Sequence, residues 1–438
     1  MAQFRTDTQK LDGPSLVSRY EVSMLSDRLS PSGTLTDAFG RLRTSAPLTL
    51  FDSSHRFADN GLWATSNTAG ATSTFVSNQS HVAMTVDTTS GHEVIRETLK
   101  VFSYQPGKSL LVLNTFAMEQ PKTNLRQRVG YFNDQNGIFL ENDGVTNYFV
   151  LRTYTSGAVV ERRVAQSDWS IDTYDGNGYS AQSSDVEHRS GIDVSKTNIL
   201  WFDIEWLGVG DVRCGFVVDG TMKTAHIFHN DNVNTLPYMT TASLPLRYEI
   251  KNVGTTASSS TLRQICSTVI SEGGYQLAGL QQGIGTPITT PYTLTTAGTY
   301  YPLVSLRLKS SPNRLDGVVI VTALSMVPKA TASSFFSWQL KSGGTTTAGT
   351  WVSAGTDSSV EYNITGTGYS GGRILASGYT AASNQVSNNI DVLKEALFRT
   401  QLERNGLTST PYEVTLLAAA STNTEQAYGS IDWEEITR

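Results

Sequence analysis

Residues 199 to 220 constrain the fold of this chain more than any other stretch. They read Ile-Leu-Trp-Phe-Asp-Ile-Glu-Trp-Leu, then Gly-Val-Gly-Asp, then Val-Arg-Cys-Gly-Phe-Val-Val-Asp-Gly. Two apolar runs rich in aromatic and β-branched residues flank a four-residue Gly/Asp loop, which is the pattern of a long antiparallel hairpin. Side chains alternate along a strand, so Trp201, Asp203 and Glu205 share one face while Ile204 and Trp206 take the other. A hairpin this apolar has to be covered by a second sheet, so the stretch predicts a β-sandwich.

Composition agrees with an all-β chain. Of 438 residues, 16% are charged, against about 25% in average proteins. Ser, Thr, Gly and Asn do the solvating instead, a mix suited to pleated surfaces and tight turns. Strand patterns recur from residue 61 to 275, punctuated by Gln105-Pro-Gly-Lys, Asn133-Asp-Gln-Asn-Gly, Asn142-Asp-Gly and Asp175-Gly-Asn-Gly. This spacing fits a lectin-like or jelly-roll sandwich. Residues 1–60 carry seven cations with little apolar periodicity and read as an extended arm that orders on a neighbour or on its own domain. Residues 276–300, rich in Gly, Thr and Pro, read as a linker, and 301–438 as a second, smaller β-sandwich domain. One segment there breaks the strand pattern. Ile390, Leu393, Ala396, Leu397 and Leu402 recur at helical spacing, with Gly406 as a stop, and predict a helix from Asn389 to Asn405.

Several function classes are disfavoured. A net charge of −6 offers no basic field for nucleic acid. The longest apolar stretch, Val318 to Val327, is interrupted by Thr322 and Ser325 and falls short of the ~18–20 residues that span a bilayer. The first ten residues are polar and lack the apolar core of a secretory signal. Cys214 and Cys266 both lie in apolar strand-like runs. They are expected to be buried thiols rather than a disulfide framework, consistent with maturation in a reducing cytoplasm.

The residues that could carry chemistry are few. Asp203 and Glu205, two apart on one strand, would place carboxylates about 7 Å from each other. Lectin-like sandwiches that hydrolyse glycans pair acids in this way, but the same strand offers no third carboxylate, because Trp201 and Leu207 hold the matching positions. An outward polar face is the simpler reading. The Asx-rich loops at Asp172, Asp175, Asn177 and Gly178, and at Asn133, Asp134, Asn136 and Gly137, lack the ligand ladder of a calcium loop and fit turn chemistry. Of six histidines only His226 and His229 are neighbours, and on a strand they would face opposite ways, so no zinc site is expected. No phosphate loop, dinucleotide fingerprint or nucleophile elbow occurs. No catalytic residue, cofactor or metal ligand is assigned. Most of the seven tryptophans are expected in the core, leaving one or two as a possible glycan platform.

The segment Asp37-Ala-Phe-Gly-Arg-Leu-Arg-Thr-Ser-Ala-Pro-Leu-Thr-Leu-Phe-Asp-Ser-Ser-His-Arg-Phe57 resembles the N-terminal signature of a family of virion structural proteins from tailed bacteriophages, common among phages of marine and freshwater bacteria, including cyanophages. The closing Tyr428-Gly-Ser-Ile-Asp-Trp-Glu-Glu-Ile436 is similar to the end of those chains. The resemblance implies an oligomeric structural component of a virion assembled in the host bacterial cytoplasm: a tail, baseplate or neck appendage, or alternatively a capsid-surface decoration or a host-glycan-binding protein. The family has no assigned catalytic residues. Within the arm, Phe39, Leu42 and Phe51 suit buried anchors, and Arg41, Arg43 and Arg56 suit ion pairs with other virion proteins.

Overall fold

The computed structural model describes residues 46–176, 191–329, 334–382, 389–390 and 400–436. Fifteen strands build the first sandwich. In chain order they are β1 (Leu48–Ser54), β2 (Trp63–Asn67), β3 (Ala71–Val76), β4 (His81–Val86), β5 (Glu93–Thr98), β6 (Leu110–Ala117), β7 (Leu125–Phe132), β8 (Gly137–Asn142), β9 (Asn147–Thr153), β10 (Val160–Ala165), β11 (Asn198–Ile204), β12 (Val212–Val218), β13 (Thr221–Phe228), β14 (Leu246–Asn252) and β15 (Ser260–Ser271). They form an eight-stranded sheet ordered β13-β12-β11-β6-β15-β4-β3, with β1 also on β15, and a seven-stranded sheet ordered β10-β9-β8-β7-β14-β5-β2. Every pairing is antiparallel.

The opening hairpin of the sequence is there, with Leu200, Phe202 and Ile204 fully buried on the core face. Its turn is longer than expected. The strand stops at Ile204, and Glu205 to Asp211 form the loop, closed by the Glu205 N–H donating to the Asp211 carbonyl at 3.1 Å. Leu207 and Gly208 both take positive φ, which no strand continues through. Trp206 therefore leaves the strand and packs edge-on against Tyr104 at 5.8 Å. Trp201, on the opposite face, lies over Gly215, where any Cβ would strike its ring at 2.7 Å.

The sheets meet across an apolar core crossed by one buried cation. Arg96 on β5 holds Asp59 with two hydrogen bonds of 2.8 Å and reaches Gln264 on β15 at 2.6 Å. A guanidinium is always charged, so its interior position depends on these partners.

The second sandwich contains β16 (Leu280–Gly285), β17 (Tyr292–Leu294), β18 (Tyr301–Leu308), β19 (Val319–Lys329), β20 (Phe335–Thr347), β21 (Val352–Ser353), β22 (Val360–Asn363), β23 (Gly368–Ala381), β24 (Asn389–Ile390), β25 (Arg404–Asn405), β26 (Thr410–Pro411), β27 (Glu413–Ala420) and β28 (Glu425–Glu435). A five-stranded sheet β16-β28-β19-β24, with β17 also on β28, faces a six-stranded sheet β21-β22-β18-β27-β20-β23. The expected linker, 276–300, thus holds two strands, both paired with β28.

The expected helix from Asn389 to Asn405 is corrected where it is described. Asn389–Ile390 pair with β19, and Arg404–Asn405 pair with β26. Residues 391–399 of that expectation lie outside the described residues. The reason is tertiary. The segment from Thr400 runs between the two sandwiches and bonds both. Leu402 N–H donates to the Val319 carbonyl at 2.9 Å, and Arg404 N–H to the Leu99 carbonyl at 3.0 Å. Backbone partners on either side outweigh an apolar spacing that a helix would also satisfy. Among the described residues no helix is long and apolar enough to cross a membrane.

Arg404 closes this junction. Its side chain is 2% exposed and meets Glu97 Oε1 at 2.8 Å, Asp316 at 3.0 Å and the Thr98 carbonyl at 2.8 Å. The first sandwich's core also takes in Val318 and Ile320, just before and within β19. Leu48–Arg438 form one compact unit. Arg404→Ala leaves Glu97 buried with half its pairing. It is expected to lower unfolding free energy by about 3–5 kcal/mol and to separate the melting of the two sandwiches, read by urea titration and calorimetry.

Two buried histidines set an acid limit. Burial, then Arg96, hold His55 down to about 4, and burial, then Arg162, do the same to His226. An unfolded histidine titrates near ~6.5, so between these values the unfolded chain binds protons that the fold refuses. Stability should be full above about 6.5, fall as pH drops towards about 4, and gain no further slope from these groups below that. The double variant His55→Gln, His226→Gln should flatten this limb in thermal melts across pH.

Candidate functional site

Asp203 and Glu205 do line one cleft, of about 370 Å³. Asp203 sits on β11 directly across from Arg213 on β12, 3.4 Å away. Glu205 stands at the start of the turn rather than on the strand. A third carboxylate, Glu272, arrives from the residue after β15, and Ser109 donates to it at 2.5 Å. Sequence could not supply Glu272, because β11 reaches β15 only through β6. Burial, then Glu272, push the Asp203 carboxyl up; Arg213 opposes this and Glu205 adds to it. Asp211, Lys108, Arg213 and the Tyr104 ring also line it. The cleft therefore gathers four carboxyl groups, Asp203, Glu205, Asp211 and Glu272, of which Asp203 is pushed up by burial and by its acidic neighbours.

The Asx loops show turn hydrogen bonding where they are described; Asn177 and Gly178 lie outside the described residues. Asn133 Oδ1 accepts from the N–H groups of Gln135 and Asn136, and Asp172 Oδ1 from that of Tyr174. His226 is buried in β13, while His229 lies beyond the strand end and bonds Asp211 at 2.9 Å. Asp211, His229 and Asp231 bring three donor atoms within 4.8 Å of one another, a grouping that the sequence order hides. Cys214 is buried as expected, but Cys266 is exposed, because its position on β15 turns outward. Trp63, Trp169, Trp201, Trp338 and Trp433 are buried. Trp351 carries the Arg307 guanidinium over its ring at 4.0 Å.

Of the arm residues, Phe39, Arg41, Leu42 and Arg43 lie outside the described residues. Phe51 is on β1 and stacks inside the first sandwich against Phe102 at 5.0 Å and Trp63 at 6.0 Å. Arg56 lies over the Phe57 ring at 5.3 Å. The closing segment forms β28, with Trp433 buried and Glu435 accepting from the Trp433 indole at 3.1 Å and from the Ser359 N–H at 2.7 Å.

The feature that sequence reading missed is the core-distant face of the seven-stranded sheet. Its registers align charge in rows. Glu249 stands opposite Arg128, and Arg128 opposite Glu141; one row on, Glu97 stands opposite Arg247. Arg128 meets Glu141 at 2.5 Å and Glu249 at 3.4 Å. Arg247 Nε lies 2.7 Å from Glu249, an ion pair set too obliquely for a hydrogen bond. Arg152 bonds Glu161 at 2.7 Å and lies over the Phe139 ring at 4.9 Å. Burial works against ionisation of Glu249, but Arg247, Arg128 and Arg152 outweigh it and hold its carboxyl below the usual range. Glu141 and Glu249 are each ion-paired with two arginines, which suits binding and rigidity better than proton transfer.

No protein-family model matches the sequence, and no curated protein does. Solved structures share the architecture at low similarity. The Bacillus licheniformis β-glucanase is 12% identical over 50% of this chain and 96% of its own, with a TM-score of 0.31. The receptor-binding domain of botulinum neurotoxin D is 9% identical over 52% of this chain and 50% of its own, also at 0.31. A Shewanella oneidensis protein of unknown function is 14% identical over 61% of this chain and 98% of its own, at 0.31. The chain spans about half the length of that neurotoxin domain, and likeness of this order reaches no further than stacked antiparallel sheets.

Asp203→Asn removes a charge that burial and Glu272 both disfavour. It should raise the melting temperature at neutral pH by roughly 1–3 °C. The gain should shrink as pH falls and wild-type Asp203 takes up its proton. Melts of both proteins from neutral to acid pH measure this.

Proposed function

We propose that this chain is a structural and binding component of a tailed-bacteriophage particle: a rigid double sandwich, assembled as a homo-oligomer and fastened to other virion proteins through its N-terminal residues. The observation that carries this reading is the junction at Arg404. A buried cation shared between Glu97 and Asp316 joins both sandwiches into one body, as a load-bearing or display part requires, and the acids on the seven-stranded sheet are committed to arginines. The resemblance at residues 37–57 and 428–436 supports the particle. A tail, baseplate or neck position is preferred; capsid decoration is the alternative.

A second reading, adhesion to host surface glycan, is compatible with the first. It is favoured by the polar groove over the seven-stranded sheet.

Assembly is tested by sizing and sedimentation of the full chain beside a chain lacking residues 1–47. The full chain should form a defined oligomer, and the truncated one should stay smaller while keeping its β-type circular dichroism. A full chain that remains monomeric at micromolar concentration, or a truncation that assembles unchanged, overturns the reading. Hydrolysis of glycan that is lost in Asp203→Asn and in Glu205→Gln would replace it with an enzymatic one.

A further inference from the structure

The charge rows on the seven-stranded sheet end in an imbalance. In the row after Glu249 and Arg128, Glu93 stands opposite Lys251, and Lys251 opposite Arg126. Glu93 pairs with Lys251 at 3.4 Å. Arg126 is left facing a like charge across the strand pair, with Arg128 two residues along on the same face. Among the described residues it has no hydrogen bond or ion pair, whereas Arg128, Arg152 and Arg247 each have at least two polar contacts. Burial, then Arg128, hold its guanidinium below its ordinary value, and the more distant pull of Glu249, Glu141 and Glu93 does not make this up. Like charges placed directly opposite destabilise a sheet. A half-buried cation without a partner is a standing penalty that a bound anion would remove.

Arg126 lines a groove of about 400 Å³ together with Ser66, Glu93, Arg128, Arg152 and Glu249. This lies within the range of about 300–1,000 Å³ of small-ligand sites. A second hollow, of about 180 Å³, shares Asp134 and Arg247 with the first and runs on to Asp316 and Arg404 at the junction of the sandwiches. The two hollows are neighbours across Asp134 and Arg247, and Arg126 lines the larger one.

We propose that this groove binds a carboxylate-bearing oligosaccharide, with Arg126 forking onto a sugar carboxylate and the neighbouring arginine and glutamate side chains meeting its hydroxyls. This names the ligand class of the surface-binding reading and rests on it. A hydroxyl both donates and accepts, and the groove presents guanidinium donors and carboxylate acceptors side by side. A peptide fits less well. β7 and β14, which carry most of the charged lining, are paired on both sides and offer no edge for strand addition, and few apolar side chains line the groove to anchor a helix.

The test uses the full chain and calorimetric titration at low salt with hexamers of galacturonate and of mannuronate. Neutral maltohexaose, hexaglutamate and sodium acetate serve as separate arms. A uronate hexamer should bind while maltohexaose, hexaglutamate and acetate do not. Arg126→Ala should weaken uronate binding about tenfold or more, and Arg126→Lys should recover part of it. Arg126→Ala should also melt close to wild type, since it breaks no hydrogen bond or ion pair among the described residues and relieves the facing like charge of Lys251, and this separates lost binding from lost folding. Failure to bind either uronate, unchanged binding by Arg126→Ala, or equal binding of maltohexaose, hexaglutamate or acetate overturns the proposal. Sizing of the same samples keeps the readings apart. An oligomer that ignores uronates sinks only the ligand, whereas a monomer that binds them sinks only the particle.

Discussion

Glu97 is the side chain through which the two halves of this protein are tied. It is 3% exposed, accepts from Arg247 in its own sheet and is ion-paired with Arg404 in the segment that returns from the second sandwich. Neither arginine could be buried without acceptors, and Glu97 could not be buried without them. The extended course of residues 400–405, the joined cores at Val318 and Ile320, and the orientation of Asp316 all accompany that arrangement. The junction thus follows from charge neutralisation as much as from apolar burial.

The seven-stranded sheet shows the same logic spread over a surface. Its inner face is apolar, with Val94, Val129, Leu140 and Ile250 fully buried. Its outer face lays arginines across Phe132, Phe139 and Tyr148 and pairs them with glutamates. Long cationic stems cover rings while their heads stay paired. A face built this way is stiff and polar at once, which suits recognition of a hydroxylated ligand. The unpaired Arg126 at its margin is the point where local stability gives way to that use.

Much of the architecture was legible in the residue order. The hairpin at 199–220, the turns at Asn133 and Asp143, and the strands of both sandwiches follow from alternation and turn chemistry, which act over a few residues. The errors arose where a partner far along the chain decides. The ends of the expected 389–405 helix, Asn389–Ile390 and Arg404–Asn405, are strand because β19 and β26 supply partners there. The Gly/Thr/Pro stretch from 276 reads as a linker until β28 pairs with it. Phe51 reads as a buried anchor whose partner is left open, and only the pairing of β1 with β15 puts it in the first sandwich. Asp203 and Glu205 were visible as neighbours, but Glu272 joins them only across three strands.

By itself the sequence determined the period of the side chains, and with it the all-β class, the two-sandwich division and the low-charge surface, because alternation is a property of each strand alone. Tertiary structure decided which charges meet. Arg126, Arg128, Glu141, Glu249 and Arg247 are spread over more than a hundred residues, and only strand register places them in rows. Register is fixed by burial of the opposite face, since a slip of one residue would turn the core outward. The groove and its unpaired cation are therefore consequences of packing, which no local reading of the chain contains.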